Sequence, residues 1–167
     1  MSKVYANEIL LGVKLVFRNF RGLERRNSAG RTMNASGKRN FNVQLNEEQY
    51  HDLKKKGWGV RSWETTDGEV MYLLKVNLGW SDNGRGPMIK VCPTDGTKGV
   101  MLDEESVGQL DVQQVDSADL VIRPYNWDDS DEPNASAWLR SMKVYVYVDP
   151  LEAEFMSEMD DEEMPFE

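Results

Sequence analysis

The sequence predicts a mainly β protein: a closed or partly closed antiparallel barrel with one clear helix, followed by a disordered acidic C-terminal tail. Three observations carry this. Roughly six to eight short segments alternate apolar and polar residues between turn signals, the pattern of a small barrel, with a β-sandwich as the alternative. One segment has both a helix start and a helix stop. Residues 156–167 have no core pattern, which leaves 1–155 as the folded domain.

Asn7 to Phe20 reads as a long strand with Ile9, Leu11, Val13, Leu15 and Phe17 on one face, so Phe17 is expected in the core. The pattern stops from Arg21 to Lys38, where Gly22, Gly30, Gly37 and small polar residues predict a mobile basic loop. Asn40 to Leu45 is a second strand, with Phe41 on the face of Val43 and Leu45. Asn46 can cap a helix that Glu47 and Glu48 open, Lys54, Lys55 and Lys56 close, and Gly57 ends. Trp58 to Thr65 and Val70 to Leu78 form a hairpin about Thr66-Asp67-Gly68, with Asp-Gly the informative pair. Met88 to Cys92 is a short strand, Ser106 to Leu110 a single helical turn, and Ala118 to Tyr125 a strand. The last strand is Trp138 to Val148, with Met142, Val144, Val146 and Val148 opposite Lys143, Tyr145 and Tyr147.

The net charge of −9 argues against a polyanion partner until its layout is seen. Residues 1–100 hold 17 Lys+Arg and 10 Asp+Glu, and residues 101–167 hold 3 and 19, giving +7 and −16. Residues 14–39 contain eight basic side chains against Glu24 alone. Such segregation predicts a basic surface for a polyanion and an acidic interaction tail. No run of apolar residues could span a membrane, and Met1 to Glu8 is not a signal peptide, so a cytoplasmic location is expected.

Catalytic chemistry finds little to use. With one histidine, His51, and one cysteine, Cys92, no zinc site with the usual ligands can be assembled, and no disulfide can form within the chain. No serine lies in a nucleophile elbow. The carboxylates of 103–105 and 128–132 are the candidates for magnesium, but the second run lacks calcium-loop register and solvated loops are the better reading of both. No enzyme activity, cofactor or metal is expected.

A binding surface is better supported. Lys14, Arg18, Arg21, Arg25, Arg26, Arg31, Lys38 and Arg39 are interleaved with Phe20 and Phe41, and Arg61 and Lys75 with Trp58, Trp63, Tyr72 and Trp80. A single-strand binder needs a cationic groove for phosphates and aromatic faces for bases, and those two requirements are met by these residue types. Some of the aromatics must nevertheless be core.

The chain ends in Asp160-Asp161-Glu162-Glu163-Met164-Pro165-Phe166-Glu167. This segment closely resembles the C-terminal tip of bacterial single-stranded-DNA-binding proteins, where acids precede a terminal Pro-Phe. Glu167 departs from that pattern by following Phe166. The resemblance implies a tail that competes for the protein's own groove and engages replication or recombination proteins through Asp160, Asp161, Glu162, Glu163, Pro165 and Phe166. Residues 16–22 (VFRNFRG) and 37–43 (GKRNFNV), with 102–108 (LDEESVG) and 118–127 (ADLVIRPYNW), resemble bacteriophage single-stranded-DNA-binding proteins of the OB-fold type over roughly 10–150. That likeness implies an OB-fold that coats single-stranded DNA, without sequence preference, in phage replication or recombination in the host cytoplasm. A virion or assembly protein is the alternative, and a homo-oligomer is compatible with either. A magnesium nuclease is the weakest reading.

Overall fold

The computed structural model describes residues 4–126 and 134–147. Its elements in chain order are β1 (Glu8–Asn19), β2 (Arg25–Arg26), β3 (Thr32–Asn34), β4 (Arg39–Leu45), α1 (Glu47–Lys56), β5 (Val60–Glu64), β6 (Val70–Leu78), β7 (Met88–Pro93), β8 (Val100–Leu102), a 3-10 turn (Val107–Asp111), β9 (Val115–Tyr125) and β10 (Ser136–Val146). The main sheet runs β5-β6-β4-β1-β9-β10-β7-β8, and an extra β6–β10 pairing joins it into a ring of β1, β4, β6, β10 and β9. The joint is short and parallel, with Ala137 opposite Val76 and Trp138 opposite Asn77. A partly open five-stranded barrel of this kind is OB-fold-like. The edge of β6 beyond the joint carries β5, and that of β10 carries β7.

Alternation places the core. Phe41, Val43 and Leu45 of β4 face Val76, Leu74 and Tyr72 of β6, and they meet Leu15, Leu120, Ile122, Leu139 and Val144 inside the ring. In β10 the expected two faces are present, with Met142, Val144 and Val146 inward and Lys143 exposed; Val148 lies outside the described residues.

Strand β1 departs from the sequence expectation. The β1–β9 register shifts between Leu10 and Val13, and Gly12 sits there at φ +63° with its N–H donating to Asp119 Oδ1 at 2.8 Å. An extra residue in one strand turns every side chain before it to the other face. Leu10 is therefore buried, while Ile9 (66% exposed) and Leu11 (68%) face outward. A second shift between Val16 and Asn19 on the β4 side turns Phe17 out and Phe20 in.

Helix α1 follows its signals. Asn46 Oδ1 accepts from the Gln49 N–H at 2.7 Å, the Gln49 side chain accepts from the Asn46 N–H at 2.9 Å, and Gly57 closes the helix at φ +105°. Tyr50 and Leu53 are its buried residues. Removing the cap with Asn46→Ala is expected to cost about 1 kcal/mol of stability with no change in β content, readable by urea unfolding followed at two wavelengths.

The stretch read as a formless basic loop contains the β2–β3 hairpin. Polar side chains do there what a core would do elsewhere. Asn19 and Leu23 exchange two 2.9 Å hydrogen bonds, Asn34 Nδ2 donates to the Leu23 and Lys38 carbonyls, and Asn40 Nδ2 donates to Asn34 Oδ1 at 2.7 Å. Asn side chains satisfy turn backbone in this way without apolar burial. Strand β8 was also absent from the sequence expectation.

Candidate nucleic-acid interface

The outer face of β1, β4, β6 and β5 collects the chemistry. In register, Lys14 lies opposite Gln44, Val16 opposite Asn42, Asn42 opposite Lys75, Arg61 opposite Leu73 and Trp63 opposite Met71. All of these lie on the side of the sheet away from Phe41, Val43 and Val76, because side chains alternate across a strand. At the edge of this face stands an aromatic pair. Phe17 and Trp63 are 54% and 51% exposed, and their rings meet edge to face at 5.8 Å between centroids.

Phe17 is held at φ +50°, the one non-glycine residue with positive φ among the described residues. An aromatic residue there costs on the order of 1–3 kcal/mol of backbone strain, a cost that clusters at ligand sites. The bulge turns the ring toward Trp63 and away from the core. Sequence alternation alone assigned it inward; Gly12 marks the earlier shift between Leu10 and Val13, and no glycine marks the one between Val16 and Asn19 that turns Phe17 out.

Beside the pair is a cationic cluster. From β5, Arg61 reaches past β6 to donate from Nη2 to Asn42 Oδ1 on β4 at 2.9 Å, next to Lys75. Burial, then the charge of Arg61, then that of Lys38 lower the pKa of the Lys75 ammonium below the ordinary lysine value. Among the described residues, no carboxylate pairs with Lys38, Arg61 or Lys75. The sign is informative. The unfolded chain holds this proton more tightly, so stability rises as pH climbs through the lowered folded value, and the charged form is a cost at neutral pH. An anion laid on the face would offset that cost. Lys75→Met is thus expected to leave Tm unchanged or raise it, while lowering the salt slope of polyanion binding by about 0.7 if the lysine neutralises one phosphate.

The remaining expected site residues divide by where the fold puts them. Arg25, Arg26 and Arg31 are exposed on the β2–β3 hairpin, with Arg26 paired to Glu24 at 2.9 Å. Arg21 pairs with Asp111 at 3.1 Å. Arg39 donates to the Glu104 carbonyl at 3.0 Å and places its guanidinium 5.1 Å from the Trp80 ring centre. Arg18 is not presented to a ligand: Nη1 donates to the Leu110 and Gln113 carbonyls, both at 2.7 Å, and ties the 3-10 turn to β1. Tyr72 turns inward against Tyr50, with ring centres 4.6 Å apart.

Three aromatics expected at the interface are core. Phe20 and Phe41 are fully buried and stacked at 5.0 Å, and Trp58 is buried behind the helix stop with its backbone bridged to Ala135. Apolar ring area outweighs any other use where a strand face points into the barrel. The tail residues Asp160 to Phe166 and the carboxylates of 128–132 lie outside the described residues.

His51 is exposed on α1, 3.6 Å from Glu47, and Cys92 is half-buried on β7. Among the described residues, no group of three or more His, Cys, Asp or Glu could hold a metal ion, and no helix is long and apolar enough to cross a membrane.

No curated protein matches the sequence. A solved structure, the single-stranded DNA-binding protein from bacteriophage Enc34 in a C-terminal truncation, aligns with 90% of this chain and 98% of its own at 10% identity and a TM-score of 0.49. The model of the phage ssDNA-binding domain family matches residues 1–164. With nearly its whole length matched, the chain belongs to the phage ssDNA-binding domain family.

Proposed function

We propose that this protein coats single-stranded DNA without sequence preference, by laying the strand across the outer face of β5, β6, β4 and β1, and that it serves phage replication or recombination in the host cytoplasm. The carrying observation is the exposed Phe17–Trp63 pair beside the cations Lys38, Arg61 and Lys75, which no carboxylate pairs among the described residues. Base stacking on an aromatic contributes about 1–3 kcal/mol and tolerates any base, because every base has a π face. Lys14 extends the cationic track along β1, and Arg25, Arg26 and Arg31 are exposed on the hairpin. The family match to phage ssDNA-binding domains supports the choice of ligand.

The acid-rich tail belongs to the same reading. Asp160, Asp161, Glu162 and Glu163 compete for the groove until DNA displaces them, and Pro165-Phe166 then engages replication or recombination proteins. Support for this is the sequence itself, nine acidic and no basic residues from Asp149 to Glu167.

Fluorescence anisotropy with a labelled oligo-dT of about 30 nucleotides, against duplex of equal length, tests both parts. The expected result is strong preference for the single strand, affinity falling by about 0.7 log units per log unit of salt for each phosphate neutralised, and tighter binding when the chain ends at Phe155. Absence of binding at low salt by either form would remove the proposal and leave assembly through protein contacts.

A further inference from the structure

A second concentration of arginine and indole lies outside the face just described. The β6–β7 loop and the paired strands β9 and β10 enclose a cleft of about 580 Å³ lined by Trp80, Arg85, Arg123, Trp138 and Arg140. Clefts of roughly 300–1,000 Å³ suit small ligands or single residues of a polymer. Its charge runs against its sequence context. Residues 101–167 carry −16 and have three basic residues, Arg123, Arg140 and Lys143, and two of those three line this cleft. Among the described residues no carboxylate pairs with Arg85, Arg123 or Arg140.

The walls are held in place. Arg39 packs over the Trp80 ring, and a side-chain carbon at Gly86 would stand 2.3 Å from it, so the loop backbone lies directly against that indole. Trp138 is half-buried on the outer side of β10, and Arg123 sits 5.9 Å from its ring centre. An arginine beside an indole is a pairing that takes a base on the ring and a phosphate on the guanidinium.

The cleft is also reached from the first face along one strand. Trp63 lies opposite Met71 of β6, Asn42 opposite Lys75, and Trp138 opposite Asn77. Following β6 from Met71 to Asn77 covers about 20 Å at about 3.3 Å per residue. Both ends and the path between lie on the outer side of the barrel.

We propose that this cleft is a second nucleotide subsite, in which a single-stranded DNA already seated on the Phe17–Trp63 face continues along β6 and places a base against Trp138 and its phosphates on Arg85, Arg123 and Arg140. The proposal rests on the reading of the first face. It assigns the chain a footprint reaching from the β5 edge, past the β6–β10 joint, to the β6–β7 loop.

The test compares oligo-dT of about 5 and about 20 nucleotides by anisotropy, using full-length wild type, Trp63→Ala, Trp138→Leu and the double variant Arg85→Ser/Arg140→Ser. The double variant alters exposed side chains only, so it reports even if Trp138→Leu disturbs the fold. Expected is a loss of about tenfold or more on the long oligonucleotide for each cleft variant. The long oligonucleotide's advantage over the short one should shrink in the same variants. If Trp63→Ala weakens binding and neither cleft variant changes affinity at either length, the subsite is wrong and the first face stands. If wild type binds but no variant weakens it, both assignments fall. If wild type does not bind, the functional reading falls and the subsite with it.

Discussion

Trp63→Ala is expected to weaken binding to oligo-dT by about 5- to 150-fold, the loss of one stacked base at about 1–3 kcal/mol. Stability should change little, because half of the side chain is already in solvent and it sits on the edge strand β5. Phe17→Ala should weaken binding in the same direction and by no more. The double variant should lose less than the sum, since the two rings touch and form one platform. Anisotropy at fixed salt reads the affinity, and thermal unfolding monitored by circular dichroism supplies the control. A Trp63→Ala protein with intact affinity would remove the aromatic half of the proposed interface.

Phe41→Ala is expected to do the reverse. The ring is fully buried and stacked on Phe20, so truncation leaves a cavity that the β4–β6 pairing cannot collapse around. The expected cost is about 3–5 kcal/mol, a fall in Tm of roughly 6–20 °C for a chain of this size. Below that lowered transition, affinity for oligo-dT should stay within about twofold, because no atom of the ring reaches the outer face. Both aromatics are candidates of equal standing in the sequence. Loss of affinity in folded Phe41→Ala would mean that the core placement of this ring is wrong.

The contrast shows which parts of the structure were legible in the sequence. Local signals were reliable where they are self-contained: the Asn46 cap, the Gly57 stop and the Asp67-Gly68 turn each fix a few residues by their own hydrogen bonds or φ angle. Strict alternation was reliable in β4 and over Met142–Val146 of β10; ahead of that stretch a register shift between Leu139 and Ser141 reverses the faces, so Ala137 and Leu139 point inward. It failed in β1 because two bulges reverse the faces, so Ile9, Leu11 and Phe17 were assigned inward and Phe20 outward. The hairpin at Arg25–Asn34 was illegible for a different reason. Its order comes from Asn19, Asn34 and Asn40 bonding across the chain, and such contacts leave no periodicity.

The candidate site divides the same way. Its charge was visible from composition, since eight basic residues stand against one acid in residues 14–39. Its membership depended on tertiary register: Arg61 reaches Asn42 across β6, and Arg18 turns inward to the 3-10 turn, neither of which spacing reveals. The second cleft was invisible for lack of density, because Arg85, Arg123 and Arg140 are scattered singly and only the β6–β10 joint brings Trp138 beside Asn77.

The central claim concerns where the strand lies, and ultraviolet crosslinking of the full-length protein to oligo-dT at low salt, with crosslinked residues identified by mass spectrometry, tests it most directly. The account predicts crosslinks at Phe17 and Trp63. Crosslinks confined to the opposite region of β1, around the exposed Ile9 and Leu11, with none at Phe17 or Trp63, would contradict it.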